Sequence, residues 1–215
     1  MKTWLTFIAV VLVVVNAGGL WAAEQPDRAE EKEYQLKAIC LYNFLKFTTW
    51  PEPTVSDSNN VKQTKVNTSK SDTTSPIIIG ILGEGSFVES FLPLEKKTPK
   101  GRKVVIRQLG SFEKAENHER VAAKKVVDAN SLRDCDLLFI ANSEKKHTNK
   151  ILDCLGSEPI LTVGETEDFL EAGGMINFIT TGNKVQFEIN RDALDRVNIV
   201  IEPDVLRLAL RVIGK

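Results

Sequence analysis

Short runs of apolar residues, many of them β-branched, recur along this chain. They stand at 77–82 (IIIGIL), 103–109 (KVVIRQL), 136–141 (DLLFIA) and 159–163 (PILTV). Such runs are typical of parallel strands that are covered on both faces, because neither face then favours polar side chains. Helix-like segments separate the runs, and this alternation predicts an α/β fold with helices on both sides of a mainly parallel sheet.

The last third of the chain departs from this alternation. Residues 175–180 and 184–189 flank a Thr-Gly-Asn turn at 181–183, and the second arm alternates polar and apolar residues. This pattern predicts an antiparallel β-hairpin with one exposed face. The expected architecture is therefore a single three-layer α/β domain, with a mostly parallel sheet flanked by helices and an antiparallel hairpin near the C-terminus.

Several helices are expected around the sheet. The clearest is an amphipathic helix at 33–49, whose apolar stripe would consist of Leu36, Ile39, Cys40, Asn43, Phe44 and Phe47. Further helices are predicted at 112–131, at 143–155 with Ser143 as N-cap, at 166–172, and at 203–214 with Pro203 in the first turn.

The first 23 residues differ from the rest of the chain. Lys2 precedes the apolar stretch at 5–15, and small residues follow it. This order predicts a secretory signal peptide over 1–23 that is removed on export. A retained anchor is the alternative, since the apolar stretch approaches the length that spans a bilayer. The mature α/β domain is expected to cover 33–215, with a flexible polar insertion at 54–75.

Composition excludes one class of partner. The chain has 28 basic and 29 acidic residues, and its formal net charge is −1. No overall positive field therefore attracts nucleic acid or an anionic membrane surface. Any partner must be recognised by local shape and chemistry.

Three cysteines follow the signal peptide. Cys135 precedes the third predicted strand, and Cys154 ends the helix after it. Because such a helix runs back along its strand, both residues are expected at one edge of the sheet. A Cys135–Cys154 disulfide would close a loop of about 20 residues and stabilise the fold by about 3 kcal/mol. Two buried thiols are the alternative, and Cys40 is expected to be a small buried hydrophobe.

Residues with catalytic potential are few. His118 and His147 both stand in Lys/Glu-rich segments and are expected on solvated helix surfaces. The sequence contains no nucleophile elbow, no HExxH and no CxxC, which are the motifs of serine hydrolases, zinc proteases and thiol or zinc sites. We therefore expect no enzyme activity, no cofactor and no bound metal.

Two glycine-bearing turns are the remaining candidates for ligand contact. Gly83, Gly85 and Ser86 join the first strand to a helix, where main-chain N–H groups can bind a small anion. The turn departs from the dinucleotide-binding pattern after its second glycine and has no P-loop lysine, which favours a structural turn. Gly173 and Gly174 precede a strand, and their expected role is also structural, as a left-handed cap and a close backbone approach.

Several segments, taken in order, resemble the YfiR/HmsC-like family of periplasmic proteins. The matching stretches are YQLKAICLYNFLKFTTWP at 34–51, IIIGILGEGSF at 77–87, GRKVVIRQL at 101–109, CDLLFIANSE at 135–144, PILTVGETEDFLEAGGMINF at 159–178, VQFEIN at 185–190 and LRLALRVI at 206–213. They cover nearly the whole mature chain, and their combination is more specific than any single piece. The stretches at 54–75 and 112–131 depart from the family pattern.

The resemblance implies regulation rather than catalysis. The best-known member of the family is a periplasmic repressor that binds the sensor part of an inner-membrane diguanylate cyclase, and an outer-membrane lipoprotein relieves the inhibition. By this resemblance the protein is expected to be periplasmic, dimeric and disulfide-bearing, and Cys135 matches a family cysteine. The expected partners are the periplasmic sensor region of an inner-membrane diguanylate cyclase or kinase, an outer-membrane lipoprotein and a second copy of the chain, but no nucleic acid.

A periplasmic module that binds a small ligand is the alternative function. It would use the turn at 83–86 or the carboxyl ends of the parallel strands, where ligands bind in open α/β sheets. The two functions are compatible if a ligand tunes the contact with the partner.

Overall fold

The computed structural model of the protein describes residues 26–52, 75–112 and 129–215. The signal peptide predicted at 1–23 lies outside the described residues, as do the polar insertion at 54–75, apart from Ser75, and most of the predicted helix at 112–131. No helix within the described ranges is both long enough and apolar enough to cross a membrane.

Helices and strands alternate along the described chain. In order they are α1 (Pro26–Phe47), β1 (Thr48–Thr49), β2 (Ile77–Leu82), β3 (Val104–Gly110), α2 (Ala129–Arg133), β4 (Leu137–Ile140), α3 (Thr148–Leu155), β5 (Leu161–Gly164), β6 (Ile176–Thr181), β7 (Lys184–Asn190), α4 (Arg191–Asp195), β8 (Val200–Ile201), α5 (Pro203–Leu208) and β9 (Arg211–Ile213). Segments of 3-10 helix lie at Ser86–Lys96, Pro99–Gly101 and Asn142–His147.

The main sheet is mixed. Across the described residues its strand order is β3-β2-β4-β5-β6-β7-β9, and β1 pairs separately with β8. The five neighbouring strands β3, β2, β4, β5 and β6 run parallel to one another. β7 is antiparallel to β6, and β9 is parallel to β7. Gly182 has a φ of 57° in the turn between β6 and β7, a conformation that glycine adopts without strain. The predicted α/β class and the antiparallel hairpin are confirmed.

The two faces of the sheet carry separate apolar clusters, which makes the domain three-layered. Alternate residues of β4 divide between them: Leu137 and Phe139 face one cluster, and Leu138 and Ile140 face the other. The first cluster is covered by α1 and the segment Ser86–Lys96, and the second by α2 and α3. Each fully buried aliphatic or aromatic side chain stabilises the fold by about 1.5–3 kcal/mol.

The predicted helix at 33–49 is present as α1, but its predicted apolar stripe is wrong in part. Leu36 and Ile39 are 42% and 59% exposed. The buried face consists instead of Tyr34, Lys37, Ala38, Leu41, Phe44 and Leu45. The buried face could not be recognised in the sequence because Lys37 lies in its middle, and lysine is almost never fully buried unless it is paired.

Other helix predictions are corrected by the structure. The predicted helix at 143–155 divides into the segment Asn142–His147 and α3, and Ser143 does not cap it. The predicted terminal helix does begin at Pro203 but ends at Leu208, because the chain then pairs with β7 as β9. Residues 166–172 form turns rather than a helix.

Candidate functional site

A buried cluster of charges joins α1 to the carboxyl edge of the sheet. Glu165 directly follows β5, and its Oε2 lies 2.5 Å from Nζ of Lys37. Lys37 also bonds to Glu33 one turn earlier in α1, and the Glu33 carboxylate accepts a hydrogen bond from the Thr180 hydroxyl at 2.9 Å. The side chains of Lys37 and Glu165 are only 3% and 5% exposed, so the pair is largely removed from water.

Both oxygens of Glu165 are bound. Its Oε1 accepts from the Tyr34 hydroxyl at 2.9 Å and from the Asn142 main-chain N–H at 2.8 Å. Burial, together with the neighbouring Glu165 carboxylate, raises the pKa of the Tyr34 phenol, which keeps the hydroxyl protonated as a donor. A buried ion pair with satisfied hydrogen bonds is strongly destabilising to break. We therefore assign this cluster the role of holding α1 in position.

The turn from Gly83 to Ser86 is closely packed by its neighbours. Gly83 has a φ of 137°, and a Cβ at this position would lie 2.6 Å from the Cβ of Ala141. Gly85 has a φ of 154°, and its Cβ would lie 2.6 Å from the ring of Phe87. Ser86 begins the 3-10 segment. Glycine is thus required at both positions by conformation and space, and a ligand-binding role for the turn stays a prediction.

Gly173 and Gly174 lie beside a buried aromatic ring. A Cβ on Gly174 would lie 2.2 Å from the Phe169 ring, and a Cβ on Gly164 would lie 2.4 Å from it. Gly173 has a φ of 97°, and its carbonyl accepts a hydrogen bond from Arg196 at 3.1 Å. Phe169 is therefore held between two glycine backbones where the chain enters β6.

The predicted Cys135–Cys154 disulfide is not formed in the structure, in which all three cysteines are thiols. Both residues belong to the same apolar cluster. The Cys135 sulfur lies against Gly80 of β2, where a Cβ would be 2.6 Å from it. Cys154 is half-buried at the end of α3, and its carbonyl accepts two hydrogen bonds from Arg133 at 2.9 and 3.2 Å.

His147 corrects another expectation. It is 9% exposed rather than solvated, and its ring centroid lies 5.9 Å from that of Phe112. The buried Glu144 accepts a hydrogen bond from the Phe112 N–H at 3.1 Å, which anchors the chain after β3. His118 lies outside the described residues. In the part of the chain that the structure describes, no three His, Cys, Asp or Glu side chains are grouped to hold a metal ion.

Partly exposed apolar side chains lie on α1, on β7 and on the chain around β9. We call this set the apolar surface, and it consists of Leu36, Cys40, Phe47, Val185, Phe187, Leu210 and Val212. Leu210 and Val212 are 54% and 39% exposed. Burial raises the pKa of the Cys40 thiol, which keeps this residue uncharged within the surface.

Two contacts bring the parts of the apolar surface together. Leu36, Cys40 and Phe47 lie on one flank of α1, because they follow one another at helical spacing. Phe44, on the buried face of α1, contacts Phe187 of β7, with ring centroids 5.0 Å apart. The Leu210 N–H donates to the Phe187 carbonyl at 2.8 Å, so the row of apolar side chains continues beyond β7.

An ion-pair network on the opposite face of the sheet fastens β9. Arg211 donates to both oxygens of Glu188 at 2.9 Å and to Glu171 at 3.2 Å. Its hydrogen bonds to Glu188 raise the pKa of the guanidinium above its ordinary value. Neither β9 nor the apolar surface is among the features predicted from the sequence. The available signal was LRLALRVI at 206–213, which has more apolar residues than one short helix can bury.

Comparison with known proteins decides the family. A model of the YfiR/HmsC-like family matches residues 59–210, well over half of the chain. The chain belongs to the YfiR/HmsC-like family. Members of the YfiR/HmsC-like family are, in general terms, periplasmic regulators of the cyclic di-GMP pathway. The matched region includes β7 and Leu210 of the apolar surface.

Two solved structures also resemble this YfiR/HmsC-like protein. A conserved domain protein from Vibrio cholerae O1 biovar eltor str. N16961 is 13% identical with a TM-score of 0.48, and the match covers 63% of this chain and 54% of that chain. An ABC domain in complex with L-Trp from Streptococcus pneumoniae is 15% identical with a TM-score of 0.47, over 64% and 56% of the two chains. The match thus spans about half the length of each of these structures.

Proposed function

We propose that this protein represses a membrane-embedded signalling enzyme, a diguanylate cyclase or a sensor kinase, by binding its periplasmic sensor region through the apolar surface. Family membership supports a regulatory role. The observation that carries the choice of surface is the exposure of Leu210 and Val212, 54% and 39%, beside Phe187.

The composition of the apolar surface suits protein contact. Large apolar side chains exposed next to one another are a mark of protein–protein contact sites. A few aromatic and aliphatic anchors provide most of the binding energy at such sites, and Phe187 and Phe47 are of this kind. Polar groups adjoin them, since Lys46 lies 5.0 Å from the centroid of the Phe47 ring. The net charge of −1 provides little long-range electrostatic attraction, so the partner would be bound through complementary shape and apolar burial.

Repression would operate through a shift in the partner's conformational equilibrium. The regulator binds the inactive arrangement of the sensor region more tightly than the active one, so the bound enzyme populates the inactive state. A change from 1:99 to 99:1 requires a preference of about 10⁴-fold. An outer-membrane lipoprotein that competes for the regulator would restore activity, and a homodimer would engage two copies of a dimeric enzyme.

The proposal is tested by expressing the full-length protein with a candidate cyclase and measuring cellular cyclic di-GMP. The wild-type protein should lower the nucleotide level, and Leu210→Asp should not. Loss of an apolar anchor costs about 2 kcal/mol, which weakens the dissociation constant about 30-fold. Gln186→Asp is the matched control, because residue 186 is exposed on the same β-hairpin and alternates with Val185 and Phe187 onto the other face.

The outcomes separate the proposal from its alternatives. Equal loss of repression in the two variants would remove the apolar surface from the proposal. Crosslinking in intact cells that recovers only a second copy of the chain would contradict the membrane partner and leave a homodimer. Fractionation and the mass of the mature N-terminus test export separately: a cleaved periplasmic form supports the signal peptide at 1–23, and a full-length membrane form supports an anchor.

A further inference from the structure

A second groove lies at the other edge of the sheet. Among the described residues β3 is the outermost strand there, and the 3-10 segment Ser86–Lys96 runs beside it. Between them is a groove of about 320 Å³, lined by Gly85, Val88, Glu89, Leu92, Ile106 and Gln108. This groove lies at the opposite edge of the sheet from β9, because five other strands separate β3 from β9.

The main chain of β3 presents hydrogen-bonding groups to this groove. The Ile77 N–H donates to the Lys103 carbonyl at 2.7 Å, so the odd-numbered residues of β3 are the ones that bond to β2. Ile106 therefore directs its N–H and C=O groups to the outer edge, and Gln108 directs its N–H there, just before the register of β3 against β2 shifts. The direction is visible at Ile106, whose N–H donates to the Glu95 carboxylate at 3.0 Å. The Ile106 carbonyl and the Gln108 N–H face outward beyond this point.

The side chains around the groove favour one kind of occupant. Val88 is buried, Ile106 is half-buried and Leu92 is 47% exposed, and these three apolar side chains lie beside the polar Glu89 and Gln108 in a groove of mixed character. Glu89 is exposed at the rim and provides a negative charge. The volume matches the lower limit of small-molecule pockets, about 300 Å³, which is room for one or two side chains.

We propose that the β3 edge binds an extended segment of a partner protein by β-strand addition. An apolar side chain of the segment would lie between Leu92 and Ile106, and a neighbouring Lys or Arg would face Glu89. Its main chain would donate to the Ile106 carbonyl and accept from the Gln108 N–H. Strand addition combines such main-chain bonds, which provide affinity, with pockets for alternate side chains, which provide specificity.

The test uses the purified mature protein and two fluorescein-labelled peptides with blocked ends, TKVLVKT and TEVLVET. Fluorescence anisotropy should show that the basic peptide binds about tenfold more tightly than the acidic one, because only the first complements Glu89. Glu89→Lys should reverse this preference. Gln108→Pro should weaken binding about tenfold, since it removes the outward N–H without affecting the pairing with β2. Leu208→Asp, on an exposed residue elsewhere, should leave the affinity unchanged.

Three results would contradict strand addition at β3. Equal binding of the two peptides to the wild-type protein would overturn the proposal, as would undiminished binding to a Gln108→Pro variant with wild-type circular dichroism. Hydrogen exchange of the wild-type protein provides evidence that does not depend on any variant. Saturating basic peptide should slow exchange of the Gln108 amide, and unchanged exchange at Gln108 would refute strand addition. None of these outcomes depends on the cyclase or kinase of the proposed function.

Discussion

The ammonium of Lys37 and the carboxylate of Glu165 lie 2.5 Å apart, although 128 residues separate them in the chain. α1 precedes the strand–helix units of the sheet, so the connectivity of those units does not determine how α1 is rotated about its own axis. The buried pair selects one rotation, which turns Leu41 and Phe44 inward. The same rotation leaves Leu36 and Cys40 on the flank that contributes to the apolar surface.

Replacing Lys37 by methionine should destabilise the protein strongly. Lys37→Met leaves the Glu165 carboxylate buried without its charged partner, and breaking such a pair typically costs about 3–5 kcal/mol. Urea unfolding should show this loss in the free energy of unfolding. Lys145→Met is the matched control, since the Lys145–Glu167 pair is 54% and 81% exposed and should contribute at most about 1 kcal/mol. A Lys37→Met protein as stable as the control would contradict the role we assign to the cluster.

An alanine at position 174 should conflict with the Phe169 ring. The added Cβ would lie 2.2 Å from that ring, and overpacking of this kind costs about 1–3 kcal/mol. Thermal unfolding should show a lower midpoint for Gly174→Ala, and Phe169→Leu in the same chain should recover part of the loss through coupling of the two sites. Gly101→Ala is the control, because no atom lies within 4 Å of its Cβ and only the backbone cost of its φ of 79° remains. If the effects of Gly174→Ala and Phe169→Leu on the midpoint were additive, a steric conflict between the two sites would be contradicted.

Tyr34 should make stability depend on alkaline pH. Its phenol pKa is raised in the folded protein above the ordinary value of 10.0, first by burial and then by Glu165. The unfolded chain therefore ionises first, so the stability linked to Tyr34 is fully present below pH 10 and is lost as the pH rises toward the folded-state pKa. Free energies of unfolding between about pH 8 and 11 should fall more steeply for the wild type than for Tyr34→Phe. Parallel curves for the two proteins would disprove the linkage.

The three cysteines should differ in reactivity. Iodoacetamide should label Cys154 and Cys40 in the native protein before Cys135, whose side chain is fully buried. Labelling of Cys40 should be slow, because burial raises its thiol pKa and lowers the thiolate fraction at neutral pH. Mass spectrometry of non-reduced peptides should find thiols at all three positions. A linked Cys135–Cys154 peptide would instead restore the disulfide that the sequence predicts.

The buried strands could be predicted because their residues have only one suitable environment. LLFI in β4 is apolar at every position, and a strand covered on both faces is the structure that buries all four side chains. The hairpin could be predicted for a similar local reason, since Gly182 permits the turn and the arms on either side have strand character. Both inferences depend on residues that are neighbours in the chain.

The apolar surface could not be predicted in this way. Leu36 and Ile39 resemble core residues in the sequence, and Lys37 resembles a surface residue, yet their positions in the structure are reversed. Residues 211–213 continue a helical pattern after α5, but hydrogen bonding to β7 makes them a strand. Cys135 and Cys154 share a cluster, but the sulfur of Cys135 packs against Gly80 of β2.

The amino-acid sequence by itself determined the α/β class, the buried strands, the hairpin and the resemblance to the YfiR/HmsC-like family. Local patterns are sufficient for these features, because periodicity and turn chemistry act between residues close together in the chain. Only the tertiary structure decided the rotation of α1, the pairing of β9 and the direction of the Cys135 side chain. Each of these depends on contacts between distant residues, such as Lys37 with Glu165, whose interaction energy exists only after folding has brought them together.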